Sequence, residues 1–531
     1  MIPLTIADIA RITAGQAVPA RRSTASHVSD DHRGRLAEVV VARQIDTVTA
    51  DSRTVGGNPA DGDGGTLFVA LRTETGDGHD HVTMAFDNGA AVALVECDPH
   101  LVSAVSPGAL PSSADTAMGE AGANSDVPLS EDGVPALVIV PDTWKALRQL
   151  ASEVRRRVNP AVVAITGSVG KTTVKDLTAA IVARSRRTYA SPASFNNELG
   201  VPLTVLGMPG DCQALICEIG ARAPGDVAVL ADVVRPDVAV VTSVVAAHLG
   251  PFGSLDAIAA TKGELVRSLG SDGIAVLNLD NSYVAAMAAG APSVIGISTQ
   301  HGSTDVTPRR VTMRDDARAE VVIDTPWGVV ECVLPVAGRH QVVNAMLAIG
   351  VAGALGIDTA DMSEGLSEAK VSHWRGQLLS LGGGITVIDD AYNANPASVE
   401  AALDTLVTVA RSRRTVAVLG EMAELGPASE QAHRQIGASC ARRGVDHVVA
   451  VGPGAHSIAW QARSEGHQSS WMVNDATAAQ GWLDEHLEAG DVVLVKASRV
   501  VALDRVVTHL RSIHPPPTTH PSGAQAQEHA S

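Results

Sequence analysis

At 531 residues the chain is too long for one ordinary domain, and roughly 150 residues per domain predicts three or four. Apolar residues make up 45% but aromatic residues only 2%, so the cores are built from Ala, Val, Leu and Ile, which suits parallel α/β sheets rather than an aromatic-rich β-sandwich. A net charge of −18 argues against nucleic acid and anionic membranes as general partners, and five cysteines without a CxxC pair predict a reducing cytoplasm rather than a disulfide framework or a zinc site.

The N-terminus has no basic segment followed by a long apolar one, so no signal peptide is expected. The first region, 1–158, is broken by a polar stretch at 20–35 and a tract of small residues at 106–133. The second tract is rich in Pro, Ser, Gly, Ala and Asp and cannot bury enough apolar area to offset the entropy of ordering, so it is expected to be a disordered surface insertion. Between the two breaks, Asp51-Ser52-Arg53 precedes a strand expected over 65–71.

The second region, 159–356, alternates strands (162–165, 214–217, 238–242, 274–278) with helices, the pattern of a doubly wound parallel sheet. Its first strand runs into Thr166-Gly167-Ser168-Val169-Gly170-Lys171-Thr172-Thr173 and then a segment of helical periodicity. Strand, glycine loop and helix in that order predict a phosphate-binding loop, with Lys171 on the β- and γ-phosphates of a nucleoside triphosphate and the Thr172 hydroxyl on Mg²⁺. The spacing is irregular, since only two residues separate Gly167 from Gly170 where four are usual; the plain alternative is a Gly/Ser turn preceding a lysine. Segment 309–336 has β character. The apolar run 342–357 contains Asn344 and is shorter than the ~20 residues of a membrane span, so a buried helix is expected.

The third region, 357–512, carries a fresh α/β series with strands at 386–389, 415–419, 447–451 and 491–495 and no phosphate loop. The Pro-, Ser-, Gln- and His-rich tail, 513–531, is expected to be disordered.

Polar residues gather at strand ends. Glu218 ends the strand at 214–217, where a carboxylate can hold Mg²⁺; taken alone, it could equally cap the next helix. His248 follows the next strand and Lys262 lies on the helix after it. Singly these would be a structural histidine and a solvated lysine, but with Glu218 and Thr172 they can form a metal and phosphate site. In the third region 388–398 packs Asp389, Asp390, Tyr392, Asn393 and Asn395 into one loop, partly to start a helix. Lys496-Ala497-Ser498-Arg499 ends another strand in a similarly polar, basic way.

Taken together these residues resemble the Mur ligases, the ATP-dependent amide-forming enzymes of peptidoglycan synthesis, over almost the whole chain. The loop 166–173 is similar to that family's shorter GxxGKT/S form, which accounts for the spacing. Segments 194–202, 248–254, 338–340, 390–396 and 420–426 match in order and spacing, most closely to the branch that joins D-alanyl-D-alanine to UDP-N-acetylmuramoyl-tripeptide.

The resemblance implies three α/β domains: one binding the UDP-substrate (1–158), a central ATP-binding phosphate-loop domain (159–356) and a Rossmann-like domain (357–512) that closes over ATP and binds the incoming dipeptide. It implies a cytoplasmic monomer of cell-wall synthesis, cell shape and division, with no membrane insertion, working through an acyl phosphate. By the same resemblance Thr172, Glu218, His248 and Lys262 serve Mg²⁺, Lys262 as a carbamate; Lys171 and Arg375 face the transferred phosphate; and Asn344 and Asp390 sit at adenine and ribose. Asp51, Ser52 and Arg53 meet the UDP-sugar, Asn196 and Asn197 the peptide, and the Tyr392, Asn393 and Asn395 loop the substrate. Thr261 and Gln341 stand where Ala and Asn are frequent. Other amino-acid ligases of the superfamily and folylpolyglutamate synthases share the chemistry; the Tyr392–Pro396 loop argues for the dipeptide ligases. A non-catalytic scaffold is disfavoured by the intact Lys171, Glu218, His248 and Lys262, and a nucleic-acid-dependent ATPase by the charge.

Overall fold

The structure, a computed structural model, describes residues 1–19, 43–55, 65–96, 135–246, 249–300, 302 and 304–516. The polar stretch 20–35, the tract 106–133, the tail beyond 516 and His248 lie outside the described residues. The chain forms two compact units. One comprises Met1–Val162, Arg186–Cys217 and Val229–Arg235; the other comprises Val163–Ser185, Glu218–Ala228 and Pro236–Ser531. Three six-stranded sheets organise the three α/β domains.

The first sheet draws on β1 (Leu4–Thr5), β2 (Gln16–Pro19), β3 (Gln44–Thr49), β4 (Gly65–Val69), β7 (Ala90–Glu96) and β8 (Ala136–Val140), with a small hairpin, β5 (Arg72–Thr73) and β6 (Gly76–Asp77), set apart. The order is β1-β3-β4-β7-β8-β2, with β3, β4, β7 and β8 parallel and the two edges antiparallel. Strand β7 reads AAVALVE and is buried along all but its last residue, as expected of a strand covered on both faces. Helix Thr143–Val158 starts where the Asp142 carboxylate accepts the Lys145 N–H at 2.8 Å, and it buries Ala146, Leu147, Leu150, Ala151 and Val154 on one stripe. In the same unit helix Gly200–Leu206 packs on both this helix and β3.

The second sheet contains β9 (Ala161–Thr166), β10 (Thr188–Ala190), β11 (Ala214–Glu218), β12 (Val238–Val241), β13 (Ile274–Asn278) and β14 (Ser293–Ile297) in the order β10-β11-β9-β12-β13-β14. Pairs β10–β11, β9–β12, β12–β13 and β13–β14 are all parallel. The strand order reverses at β9, so the loop after it opens at the topological switch point, where doubly wound sheets bind nucleotides. The β-rich stretch is an antiparallel meander of β15 (Thr307–Met313), β16 (Arg318–Thr325) and β17 (Gly328–Ala337). The apolar run becomes helix Gln341–Ala354, buried from Val342 through Gly353 except at Val343, and among the described residues no helix is long and apolar enough to cross a membrane.

The third sheet contains β18 (Gln377–Ser380), β19 (Thr386–Asp389), β20 (Thr415–Gly420), β21 (His447–Val451), β22 (Ser470–Val473) and β23 (Val492–Lys496). Its order is β18-β19-β23-β20-β21-β22, parallel except at the β18 edge. Two apolar layers sandwich it, one around Leu403, Leu406 and Ile436, the other around Leu483, Leu503 and Leu510. Segments 390–395, 421–426 and 497–499 emerge together at the carboxyl ends of adjacent strands.

Candidate active site

The loop after β9 turns on two glycines in left-handed or related backbone, Gly167 at φ 146° and Gly170 at φ 87°. Space as well as φ requires glycine here. A Cβ on Gly167 would collide with Thr242 Oγ1, and one on Gly170 would lie 2.5 Å from Asn344 Oδ1. The loop is braced by the segment following β12: Ser168 N donates to Ser243 O at 2.8 Å and Val169 N to Ser243 Oγ at 3.2 Å. These two amides are therefore committed to the scaffold. Helix Lys171–Val182 follows at once, and its N-terminal end is where an anion would be met. Thr166 Oγ1, at the mouth of the loop, is buried with no hydrogen-bond partner among the described residues.

Thr172 is the centre of the arrangement. Its hydroxyl donates to Glu218 Oε2 at 2.8 Å, and Arg375 Nη2 donates to the same hydroxyl oxygen at 3.1 Å. Glu218 is the last residue of β11 and only 1% exposed, so it is a buried carboxylate beside the phosphate loop, not the cap of the following helix. A hydroxyl and a carboxylate converging in this way fit Mg²⁺, which takes few protein oxygens and completes its shell with phosphates and water. No cluster of three or more His, Cys, Asp or Glu suited to a metal occurs among the described residues. Lys171 Nζ donates to Gly167 O at 2.8 Å, and burial lowers the pKa of its ammonium, with Glu218 opposing and Arg375 adding to the shift.

Lys262 lies within helix Leu255–Arg267 and is 5% exposed. Burial, with Lys171 contributing, lowers its pKa to about 7, and no salt bridge relieves it among the described residues. Such a lysine is not a solvated surface charge. Thr261 beside it turns its hydroxyl back to Ala257 O at 2.9 Å. On the other side of the loop Asn344 Nδ2 donates to Gln341 Oε1 at 2.7 Å, and Gln341 Nε2 to His340 Nε2 at 3.0 Å. Gln341 thus orients the amide that lines Gly170, a role the sequence left unassigned.

The 388–398 loop divides its labour. Asp390 Oδ2 pairs with the buried Lys496 Nζ at 2.6 Å, and the same ammonium donates to Asn393 O at 2.9 Å. Tyr392 lies beneath the Arg375 guanidinium, 3.8 Å from ring centroid to Cζ. Asn395 starts helix Pro396–Ala410 through a capping box with Ser398, the helix-initiating part expected of this loop. Ser498 Oγ, next to Lys496, accepts the Ala423 N–H at 2.9 Å, tying the 421–426 loop to the same strand end. The sequence offers Lys496 only as the polar, basic end of an apolar strand; its grip on Asp390 and Asn393 is a role that sequence reasoning left unassigned.

The remaining sequence-chosen residues belong to the other unit. Asp51 and Arg53 pair with each other at 2.8 Å, which lowers the Asp51 pKa to about 2. Ser52 is buried, and its carbonyl accepts from Asn88 Nδ2 at 2.9 Å. Asn197 Oδ1 accepts the Gly200 N–H at 2.8 Å at the start of helix Gly200–Leu206, and Asn196 is half-buried beside it. This helix packs on β3, the strand that leads to Asp51.

Residues 165–352 match the Mur ligase middle domain, and residues 374–499 match the Mur ligase, glutamate ligase domain. Together the two spans cover more than half of the chain. The chain belongs to the Mur ligase family. Among curated relatives, the UDP-N-acetylmuramoyl-tripeptide–D-alanyl-D-alanine ligase of Mycobacterium tuberculosis (strain ATCC 25618 / H37Rv) is 36% identical, over 96% of this chain and 98% of that protein. The protein of the same name from Escherichia coli (strain K12) is 33% identical, over 92% and 98%. Among solved structures, MurF from Acinetobacter baumannii superimposes with a TM-score of 0.76 at 26% identity, covering 96% of this Mur ligase and 99% of that chain.

Proposed function

We infer that this chain is the ATP-dependent ligase that joins D-alanyl-D-alanine to UDP-N-acetylmuramoyl-tripeptide, giving the UDP-linked pentapeptide precursor of peptidoglycan with ADP and phosphate. The observation that carries the reading is Thr172, held at one hydroxyl by both Glu218 and Arg375 at the mouth of a phosphate loop. Full-length likeness to ligases of that name supplies the substrate class.

The reaction we propose runs through an acyl phosphate. The terminal carboxylate of the tripeptide attacks the γ-phosphorus of ATP and ADP leaves. The amine of the dipeptide then adds to the carbonyl carbon, phosphate departs and the amine loses a proton. Bringing a carboxylate against a triphosphate crowds negative charge, and Lys171 and Arg375 stand where they would offset it. Mg²⁺ held by Thr172 and Glu218, with His248 and Lys262 assigned to the same site, would supply further neutralisation of the phosphate oxygens. We assign Lys262 as a carbamate: its lowered pKa leaves a neutral amine near pH 7, which CO₂ converts to an anion with release of a proton.

In this reading Asn344 and Asp390 lie on the nucleoside side, Asp51, Ser52 and Arg53 meet the UDP-sugar, Asn196 and Asn197 the peptide, and Asn393 the acceptor. Domain boundaries fall near 158 and 356, and the enzyme works in the cytoplasm, where its nucleotide substrates are found. Among the described residues Cys212, Cys217, Cys332 and Cys440 are free and buried, in keeping with a reducing compartment.

Incubation with ATP, Mg²⁺, UDP-N-acetylmuramoyl-tripeptide and D-alanyl-D-alanine should yield a pentapeptide product by mass. Phosphate release that ignores the dipeptide, or free D-alanine as the better acceptor, would overturn the assignment.

A further inference from the structure

Arg375 reaches Thr172 from a short segment with no regular structure of its own, so something must hold its side chain in place. A long guanidinium side chain has many rotamers, and its hydrogen bond to Thr172 is only part of what directs it. An aromatic ring supplies a further contact. The Tyr392 ring lies flat under the guanidinium, 3.8 Å from Cζ, while Arg375 Nη2 points to Thr172 Oγ1. The Tyr392 hydroxyl makes no hydrogen bond among the described residues, so the ring face is the part in use.

Both partners of this stack are themselves fastened. Tyr392 sits between Asp390 and Asn393, the two residues gripped by Lys496 Nζ. On the other side Gly376 N donates to Asp389 O at 2.9 Å, joining the segment of Arg375 to the same strand end. Trp374, at φ 63°, lies under Arg499, 4.7 Å from ring centroid to Cζ, and Arg499 pairs with Asp504 at 3.0 Å. Successive residues 374 and 375 therefore each make a cation–π contact, of which only the second extends to the phosphate loop.

We propose that Tyr392 is a positioning residue for phosphoryl transfer, its ring face aiming the Arg375 guanidinium at the phosphate loop. The assignment rests on the ligase reading above for the identity of the reaction, and it replaces the substrate contact expected of Tyr392 from sequence. The loop of Asp390, Tyr392 and Asn393 then couples strand β23 to the transferred phosphate through one aromatic ring.

The test compares Tyr392→Leu, Tyr392→Phe, Arg375→Ala and the double variant Tyr392→Leu/Arg375→Ala. Tyr392→Leu should lower kcat roughly tenfold without raising the KM of the dipeptide, and Tyr392→Phe should recover most of that loss, because the ring face is retained. The double variant should be no worse than Arg375→Ala alone. Titration with Mg·ATP reads the same geometry without turnover: Tyr392→Leu and Arg375→Ala should weaken binding by similar factors, with melting temperatures close to that of the parent chain. Undiminished nucleotide binding in Tyr392→Leu, additive losses in the double variant, or a raised dipeptide KM shared by the Leu and Phe variants would each overturn the proposal. A parent chain that binds Mg·ATP but makes no pentapeptide, with binding weakened in Tyr392→Leu, would strike the ligase reading alone.

Discussion

Lys496 Nζ sits 2.6 Å from Asp390 Oδ2, with the lysine almost wholly buried and the carboxylate partly open to solvent. Removing one partner of such a pair leaves the other desolvated, a cost of roughly 3 kcal/mol when the site cannot relax. Lys496→Met should therefore lower the thermal transition and weaken nucleotide binding. The double variant Lys496→Met/Asp390→Asn should recover part of the stability. Calorimetry on the four proteins of this cycle measures the coupling, and strictly additive losses would mean that the two side chains do not act as a pair.

Asp389, the neighbour of Asp390, behaves differently. Burial raises its pKa to about 6 from the ordinary 3.8, with Asp390 adding a like charge. Between these two values the folded protein holds a proton that the unfolded chain releases, so this group's contribution to stability falls as pH rises from about 4 to 6 and stays low above that. Asp389→Asn should stabilise the protein at pH 8 by up to roughly 2–3 kcal/mol. The gain should shrink toward zero at pH 4. Denaturation profiles at the two pH values decide it: a gain that does not vary with pH would point to a cause other than proton linkage.

Lys262, with its pKa lowered to about 7, should become a better CO₂ acceptor as pH rises through 7, because the neutral amine is the reactive form. Lys262→Ala should lose activity by roughly a hundredfold or more if the carbamate orients charge in the transition state. Acetate or propionate in the assay should return part of it. Full activity in the variant would defeat the carbamate assignment.

Gly170→Ala places a methyl group 2.5 Å from Asn344 Oδ1 on backbone at φ 87°. Backbone strain of this kind costs about 1–3 kcal/mol. The loop should distort rather than the buried helix Gln341–Ala354, so Mg·ATP affinity should fall more than tenfold while the melting temperature moves little. Unchanged affinity would show that the loop tolerates a side chain there.

The central parallel strands could be read from sequence because burial on both faces leaves continuous β-branched runs: Ile274–Asn278, Thr386–Asp389 and His447–Val451 lie where the pattern places them. Strands β10, β14, β18 and β22 were not legible. Each lies at a sheet edge, and sequences such as TYA, QLLS and SWMV carry no such run. The phosphate loop announced itself through local spacing, and Glu218 through its position ending a buried strand. The contacts of Arg375 with Thr172 and of Lys496 with Asp390 span 203 and 106 residues, so no local pattern could reveal them. The cap made by Asn395 was legible, because Asn followed by Pro is a local helix-start signal.

The first compact unit is assembled from three separate stretches of chain, the last of them Val229–Arg235. During synthesis, which adds residues from the N-terminus at roughly 5–20 per second, a nascent chain that has emerged only as far as Val162 still lacks two of those stretches. The unit that carries Asp51 and Asn197 can reach its final packing only after the phosphate loop at 166–173 has left the ribosome. A gene fragment ending at residue 162 would encode an incomplete unit, and a fragment starting at residue 163 would carry the missing stretches without the rest of it.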